Sequence, residues 1–287
     1  MQILTDRGSD IAAGQFDGLP IYFAPMRLTL DGITYSSGED LSSEVFYDML
    51  EKTEGLPITS QATAGDFAAI YNRLAKDDPD ILSVHISSGL SGTLDSARLG
   101  AEMAPQARVT FWDSLTLSGP EAWQVEVAAK AFKAGCSLPE VMALLGRVRT
   151  ATEGVFTLDT LKYLIHGGRI SHMKGLIASL LHIRPVIAVE KESGKYYTLA
   201  QEMTMKKAVQ RVAISLQHFY TEGTRLRVQL LHGKNPVAVD LLRQAVEGLF
   251  ECQWLPTVTV GPILGAHTGG SLVGLSVAPI SVFEGLL

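Results

Sequence analysis

Short apolar runs alternate with helix-patterned stretches over the first half of the chain, and this alternation restricts the fold more than any other feature. Gln2 to Thr5, Ile21 to Ala24, Ile81 to Ile86 and Arg108 to Trp112 read as strands. Leu41 to Lys52, Ala64 to Lys76, Leu94 to Met103 and Glu121 to Lys133 carry apolar residues at helical spacing. Ser42 or Ser43 caps the first of these helices. Leu56 to Gln61 reads as a loop. Strands joined by helices of about 10 to 15 residues imply parallel βαβ units. In such sheets ligands sit beyond the carboxyl ends of the strands. That rule places Asp6, Thr59, Ser87 to Thr93 and Asp113 on one rim.

The pattern changes near residue 150. Leu138 to Val148 is a helix, and a polar stretch follows it. Later strands, at Val155 to Leu158, Pro185 to Val189, Tyr196 to Ala200, Arg227 to Leu231, Thr257 to Val260 and Leu272 to Val277, have mixed character. Glu192-Ser193-Gly194-Lys195 reads as a hairpin turn, which implies an antiparallel pair. Met205 to Tyr220 is an amphipathic helix with Ala208, Val209, Val212, Ala213, Leu216 and Phe219 on one face. A length of 287 residues suits two medium domains. The expected units are residues 1–150 and 151–287, the second with a mixed sheet.

Bulk properties narrow the function classes. The formal charge is −6 with no basic cluster, which argues against a nucleic-acid partner. Cys136 and Cys252 lack CxxC spacing, so a structural zinc site is not expected and a reducing compartment is. The N-terminus MQILTDRGSD reaches charge too early for a secretory signal. No uninterrupted apolar run approaches the roughly 20 residues of a membrane helix. The expected location is cytoplasmic, with no integral membrane segment.

Three small-residue loops carry the candidate chemistry. Ser87-Ser88-Gly89-Leu90-Ser91-Gly92-Thr93 lies where a strand gives way to a helix. Ser91 is the natural N-cap, and Gly89 and Gly92 let the backbone approach a ligand closely. Free N–H groups of the first helical turn favour an anion. Hydroxyls of Ser88, Ser91 and Thr93 add donors. The loop has no lysine, so it suits a carboxylate better than a triphosphate. An ordinary capped helix is the plain alternative. Gly167-Gly168-Arg169 would project an arginine that matches a carboxylate through paired hydrogen bonds; a solvent-facing arginine is the alternative. Gly265-Ala266-His267-Thr268-Gly269 places a lone histidine among small residues, either donating to an anion or structural. Gly89-Leu90-Ser91-Gly92-Thr93 is also near the nucleophile elbow, with Thr93 where its last glycine belongs. On paper His267 and Asp113 or Asp159 complete a triad with Ser91, so a serine hydrolase is a weaker reading.

Taken in order, Thr5-Asp6 with Ser9-Asp10, Thr59-Ser60-Gln61, Ser87 to Thr93 with Ser96-Ala97, Asp113-Ser114, Gly167 to Ser171, Ile183-Arg184-Pro185 and Gly265 to Gly269 resemble the DegV family of fatty-acid-binding proteins. The resemblance implies a two-domain α/β fold. Its N-terminal part is a three-layer α/β/α domain with a parallel sheet, and its C-terminal part a two-layer α/β domain with a mixed sheet. It implies a long-chain fatty acid held between the two, and a non-catalytic carrier that presents the carboxylate to a separate ATP-dependent fatty acid kinase. It implies no cofactor and no metal. The matching positions for the carboxylate are Thr59, Ser91, Ser88 and Gly92, with Arg169 and His267 around them. Ile177, Leu180 and Leu181, on the apolar stretch after Arg169, are candidates for the tail pocket. The chain departs from the family pattern at Arg7, Ala62, Ala64 and Gly270-Ser271. A binding protein for another small carboxylic acid is the alternative reading.

Overall fold

The computed structural model describes residues 1–11, 16, 18–173 and 183–285. The alternation of the first half becomes a four-stranded parallel sheet. Its strands are β1 (Gln2–Thr5), β2 (Ile21–Phe23), β6 (Asp80–His85) and β7 (Arg108–Asp113), in the order β2-β1-β6-β7. Helices α2 (Ala64–Leu74) and α3 (Thr93–Glu102) cover one face, burying Phe67, Tyr71, Leu74 and Ala97 against Leu4 and Ile81. Helices α4 (Ser118–Lys133) and α5 (Leu138–Ala151) cover the other, burying Val125, Ala128, Val141 and Leu145 against Ile3, Leu82 and Val84. Alternate strand residues point to opposite faces, so Ile3 and Leu4 serve different layers. This is the expected α/β/α sandwich.

The stretch read as a loop, Leu56 to Gln61, contains a strand. Ile58–Ser60 (β5) pairs antiparallel with β3 (Arg27–Leu30), which also pairs with β4 (Ile33–Ser36). This small three-stranded sheet escaped the sequence pattern because its strands are short and mix polar with apolar residues rather than forming apolar runs. One face is buried through Leu28 and Leu30, while Ile58 on the other is 61 % exposed. Helix α1 (Ser43–Lys52), capped by Ser42, packs Phe46, Tyr47 and Leu50 against the buried face.

The second half builds a mixed sheet in the order β10-β9-β8-β14-β11-β12, with β13 also on β11. Its strands are β8 (Glu153–Thr157), β9 (Arg184–Val189), β10 (Tyr196–Glu202), β11 (Arg225–His232), β12 (Glu251–Trp254), β13 (Val258–Thr259) and β14 (Val273–Pro279). Short α6 (Lys162–His166) follows β8, and α9 (Pro262–Thr268) precedes β14. Helices α7 (Met205–Ser215) and α8 (Pro236–Glu247) cover one face, with the foreseen Ala208, Val209, Val212, Ala213 and Leu216 inward. The hairpin expected at residues 192 to 195 joins β9 to β10.

Helix α4 joins the two halves. It begins at Ser118 rather than Glu121, and it is buried nearly all round, not on the one side that its spacing suggested. One flank faces the parallel sheet. The other packs Trp123 and Val127 against Ala278, Val282 and Phe283. Glu126 reaches across to Arg227 at 2.7 Å, both buried. The hairpin makes a second joint. Ser87 Oγ donates to the Gly194 carbonyl at 2.7 Å, and Gly194 has φ +63° with room for no Cβ, which would lie 1.9 Å from Ser87 Oγ. Gly194→Ala combines left-handed strain with overpacking and is expected to cost about 2–4 kcal/mol. The urea midpoint measures this; an unchanged midpoint would remove the hairpin from the joint.

Candidate functional site

Thr59 is the middle residue of β5 and pairs with Leu28. Paired residues of an antiparallel ladder share a face, so Thr59 points inward while Ile58 and Ser60 point out. Its Oγ1 lies 2.7 Å from His267 Nε2, on the last turn of α9. His267 Nδ1 is buried without a hydrogen-bond partner among the described residues. A Cβ on Gly167 would lie 2.1 Å from that nitrogen, so the glycine gives the imidazole its place. Burial above all, then the nearby charges of Arg169 and His166, holds the imidazole down to about 4.

The neutral state of His267 has a measurable consequence. The unfolded histidine takes up its proton near pH 6.5, before the folded one does. The stabilising contribution is therefore complete above about pH 6.5 and is lost as pH falls toward 4. Its size is about 3 kcal/mol. Between pH 6.5 and 4 the wild type is expected to lose about that much more stability than His267→Gln, by urea titration at each pH. Parallel profiles for the two proteins would contradict it.

Arg169 Nε donates to the Leu90 carbonyl at 3.2 Å, and its Nη1 donates to the Gly167 carbonyl. The arginine thus spans from its own glycine turn to the hydroxyl loop. In that loop Gly92, not Ser91, is the N-cap of α3 and supplies no side-chain bond. Ser91 Oγ accepts from the Thr93 amide at 3.3 Å and lies 2.8 Å from Thr93 Oγ1. Gly92 makes room for Gln61: a Cβ there would come 2.7 Å from Gln61 Nε2. That amide donates to Ser96 Oγ at 2.9 Å.

Thr59, Ser91, Arg169 and His267 all line one cavity of about 210 Å³. Gln61 completes its polar side, which the exposed Ser60 borders; Met26, Ile86, Leu90, Leu117, Tyr196, Ile263 and Leu264 form its apolar side. A narrow second cavity, about 40 Å³, shares Leu117, Tyr196 and Leu264 as walls. Besides Tyr196, its hydroxyl-bearing wall residues are committed elsewhere: Ser118 Oγ donates to Asp10 and Thr268 Oγ1 to the Leu264 carbonyl. A cationic guanidinium, two hydroxyls and an amide beside an apolar slot suit a carboxylate with a hydrocarbon tail.

Other sequence candidates fall outside this cavity. Ser88 is exposed, and its backbone N–H donates to Asp113 at 3.2 Å. Gly92 acts through Gln61 rather than as a wall. Asp6, expected on the ligand rim, is fully buried and accepts from Gly8, Ile86 and His85. Arg7 lies over the Phe23 ring and lines a separate cavity of about 680 Å³. Ile177, Leu180 and Leu181 lie outside the described residues. The hydrolase triad does not form: Ser91 contacts Thr93, His267 contacts Thr59, and Asp159 binds Arg184. Sequence reading missed Gln61, Tyr196, Leu117 and Leu264 as walls. Among the described residues no group of three His, Cys, Asp or Glu side chains can hold a metal ion, and no helix is long and apolar enough to cross a membrane.

A profile of the DegV family of uncharacterised proteins matches residues 1–279. A DegV domain-containing protein of Deinococcus radiodurans is 32% identical over 277 residues, covering 96% of this chain and 95% of its own. Among solved structures, a DegV family protein from Thermus thermophilus described for fatty acid binding superposes with a TM-score of 0.87 at 28% identity, over 97% of this chain and 99% of that one. DegV of Bacillus subtilis, described as a fatty acid binding protein, gives 0.86 at 25% identity, over 97% and 98%.

Proposed function

The chain belongs to the DegV family, and from that premise we propose that it is a non-catalytic carrier of a long-chain fatty acid. The observation that carries this reading is the convergence of Thr59, Ser91, Arg169 and His267 on one cavity, with an apolar slot next to it. The carboxylate would lie against the Thr59 and Ser91 hydroxyls with Arg169 beside it. A carboxylate leaving water needs such charge-assisted partners, because a buried unpaired charge is costly. The tail would fill the slot. The fatty acid binding described for the Thermus thermophilus and Bacillus subtilis relatives supports the same ligand class.

The carboxylate end faces outward. Thr59, Ser91, Arg169 and His267 all keep partial exposure, whereas the slot is lined largely by buried side chains. This polarity supports presentation of the head group to a separate ATP-dependent fatty acid kinase that forms acyl phosphate. Ser91→Ala is expected to weaken fatty-acid binding by about 1–3 kcal/mol, read by displacement of a fluorescent fatty acid. Unchanged affinity would take Ser91 out of the head-group site. For presentation, loaded protein given ATP and such a kinase should yield a hydroxamate when trapped with hydroxylamine. Loaded protein that yields none would contradict it.

A further inference from the structure

The walls of the apolar slot follow the strand order of the mixed sheet. Tyr196 stands on β10, Val189 on β9, Gly154 and Phe156 on β8, Leu275 on β14 and Leu231 on β11. These strands are consecutive neighbours in the sheet, so the slot crosses strands rather than running along one. Tyr196 is also a wall of the head-group cavity. The head end is therefore at β10 and the far end at β11. At the far end Leu231 clusters with Val260 and Leu272, which close the slot.

From this geometry we infer that Leu231 is the stop that sets the longest acyl chain this protein accepts; the inference rests on the carrier reading above. Four strand spacings separate β10 from β11, about 19 Å at about 4.8 Å each. With C–C bonds of about 1.5 Å, an extended hydrocarbon advances about 1.25 Å per carbon. The span beyond Tyr196 then takes about 15 carbons, which with the head group makes an acid of about 16 to 18. The slot holds about 40 Å³ as it stands, so a chain enters only as its apolar side chains, Leu117 and Leu264 first, change rotamer and move apart along the slot.

A displacement series of saturated acids from C12 to C22 tests this on the wild type, Leu231→Ala and Val260→Ala. The wild type should tighten about fourfold per added methylene up to about C16 to C18, then weaken. Leu231→Ala should move the optimum longer by about two carbons, and Val260→Ala should move it the same way if Leu231→Ala fails to fold. Variants that bind with an unmoved optimum overturn the stop while the carrier reading stands. A wild type that binds no acid in the series overturns both.

Discussion

Octanoate is expected to bind this chain about four orders of magnitude more weakly than palmitate. The two acids share a carboxylate, so their contacts with Thr59, Ser91 and Arg169 cancel in the comparison. They differ by eight methylenes, each worth about 0.8 kcal/mol when buried. The gross difference is about 6 kcal/mol, and the cost of ordering the longer tail trims it. The slot has what this burial requires, since most of its walls are apolar and the Ser118 and Thr268 hydroxyls are bonded elsewhere. Calorimetric competition between the two acids measures the ratio. A difference below tenfold would mean that the head group alone drives binding, and would favour a carrier of short acids in the cavity of about 210 Å³.

The second large effect concerns the joint between the two sheets. Glu126→Ala is expected to cost about 3–5 kcal/mol of unfolding free energy. The carboxylate meets Arg227 at 2.7 Å with both side chains about 5 % exposed. Without it the guanidinium stays buried among rings: its centre lies 4.6 Å from the Trp123 ring and 4.5 Å from that of Phe283. Among the described residues Arg227 Nη1 already lacks a partner, so the arginine has little to fall back on. Replacing the pair together with apolar residues should cost much less, because desolvation offsets most of the attraction. The urea midpoints of Glu126→Ala and Glu126→Leu/Arg227→Met decide it. Equal losses in both would show that packing, not the stranded charge, sets the cost.

The parallel sheet and its helices were legible because apolar strands alternate with helices whose apolar residues repeat over ten or more positions. Val209 and Val212 of α7 fell on the predicted face for that reason. Short elements without an apolar run were not legible: Ile58–Ser60 spans three residues, one of them apolar, with one inward side chain. That single residue, Thr59, belongs to the site. Helix α4 misled in another way. A helix clamped between two sheets shows no polar face, and Glu121, Gln124 and Glu126 are buried on it.

For the site, glycines and hydroxyls marked the right loop but not the division of labour within it. Ser87 docks the hairpin, Ser88 faces solvent, and only Ser91 reaches the cavity. Identical side chains four residues apart take different directions from the backbone turn between them, which composition does not encode. Leu117, Tyr196 and Leu264 come from three distant segments and meet only through the packing of α4, β10 and α9.

The central claim is that a long-chain fatty acid occupies this cavity and slot. Mass spectrometry of protein purified under native conditions, followed by organic extraction of any bound lipid, tests it most directly. The account predicts about one fatty acid of about 16 to 18 carbons per chain, released on extraction. Protein that carries no lipid, and takes up no added palmitate, would contradict it.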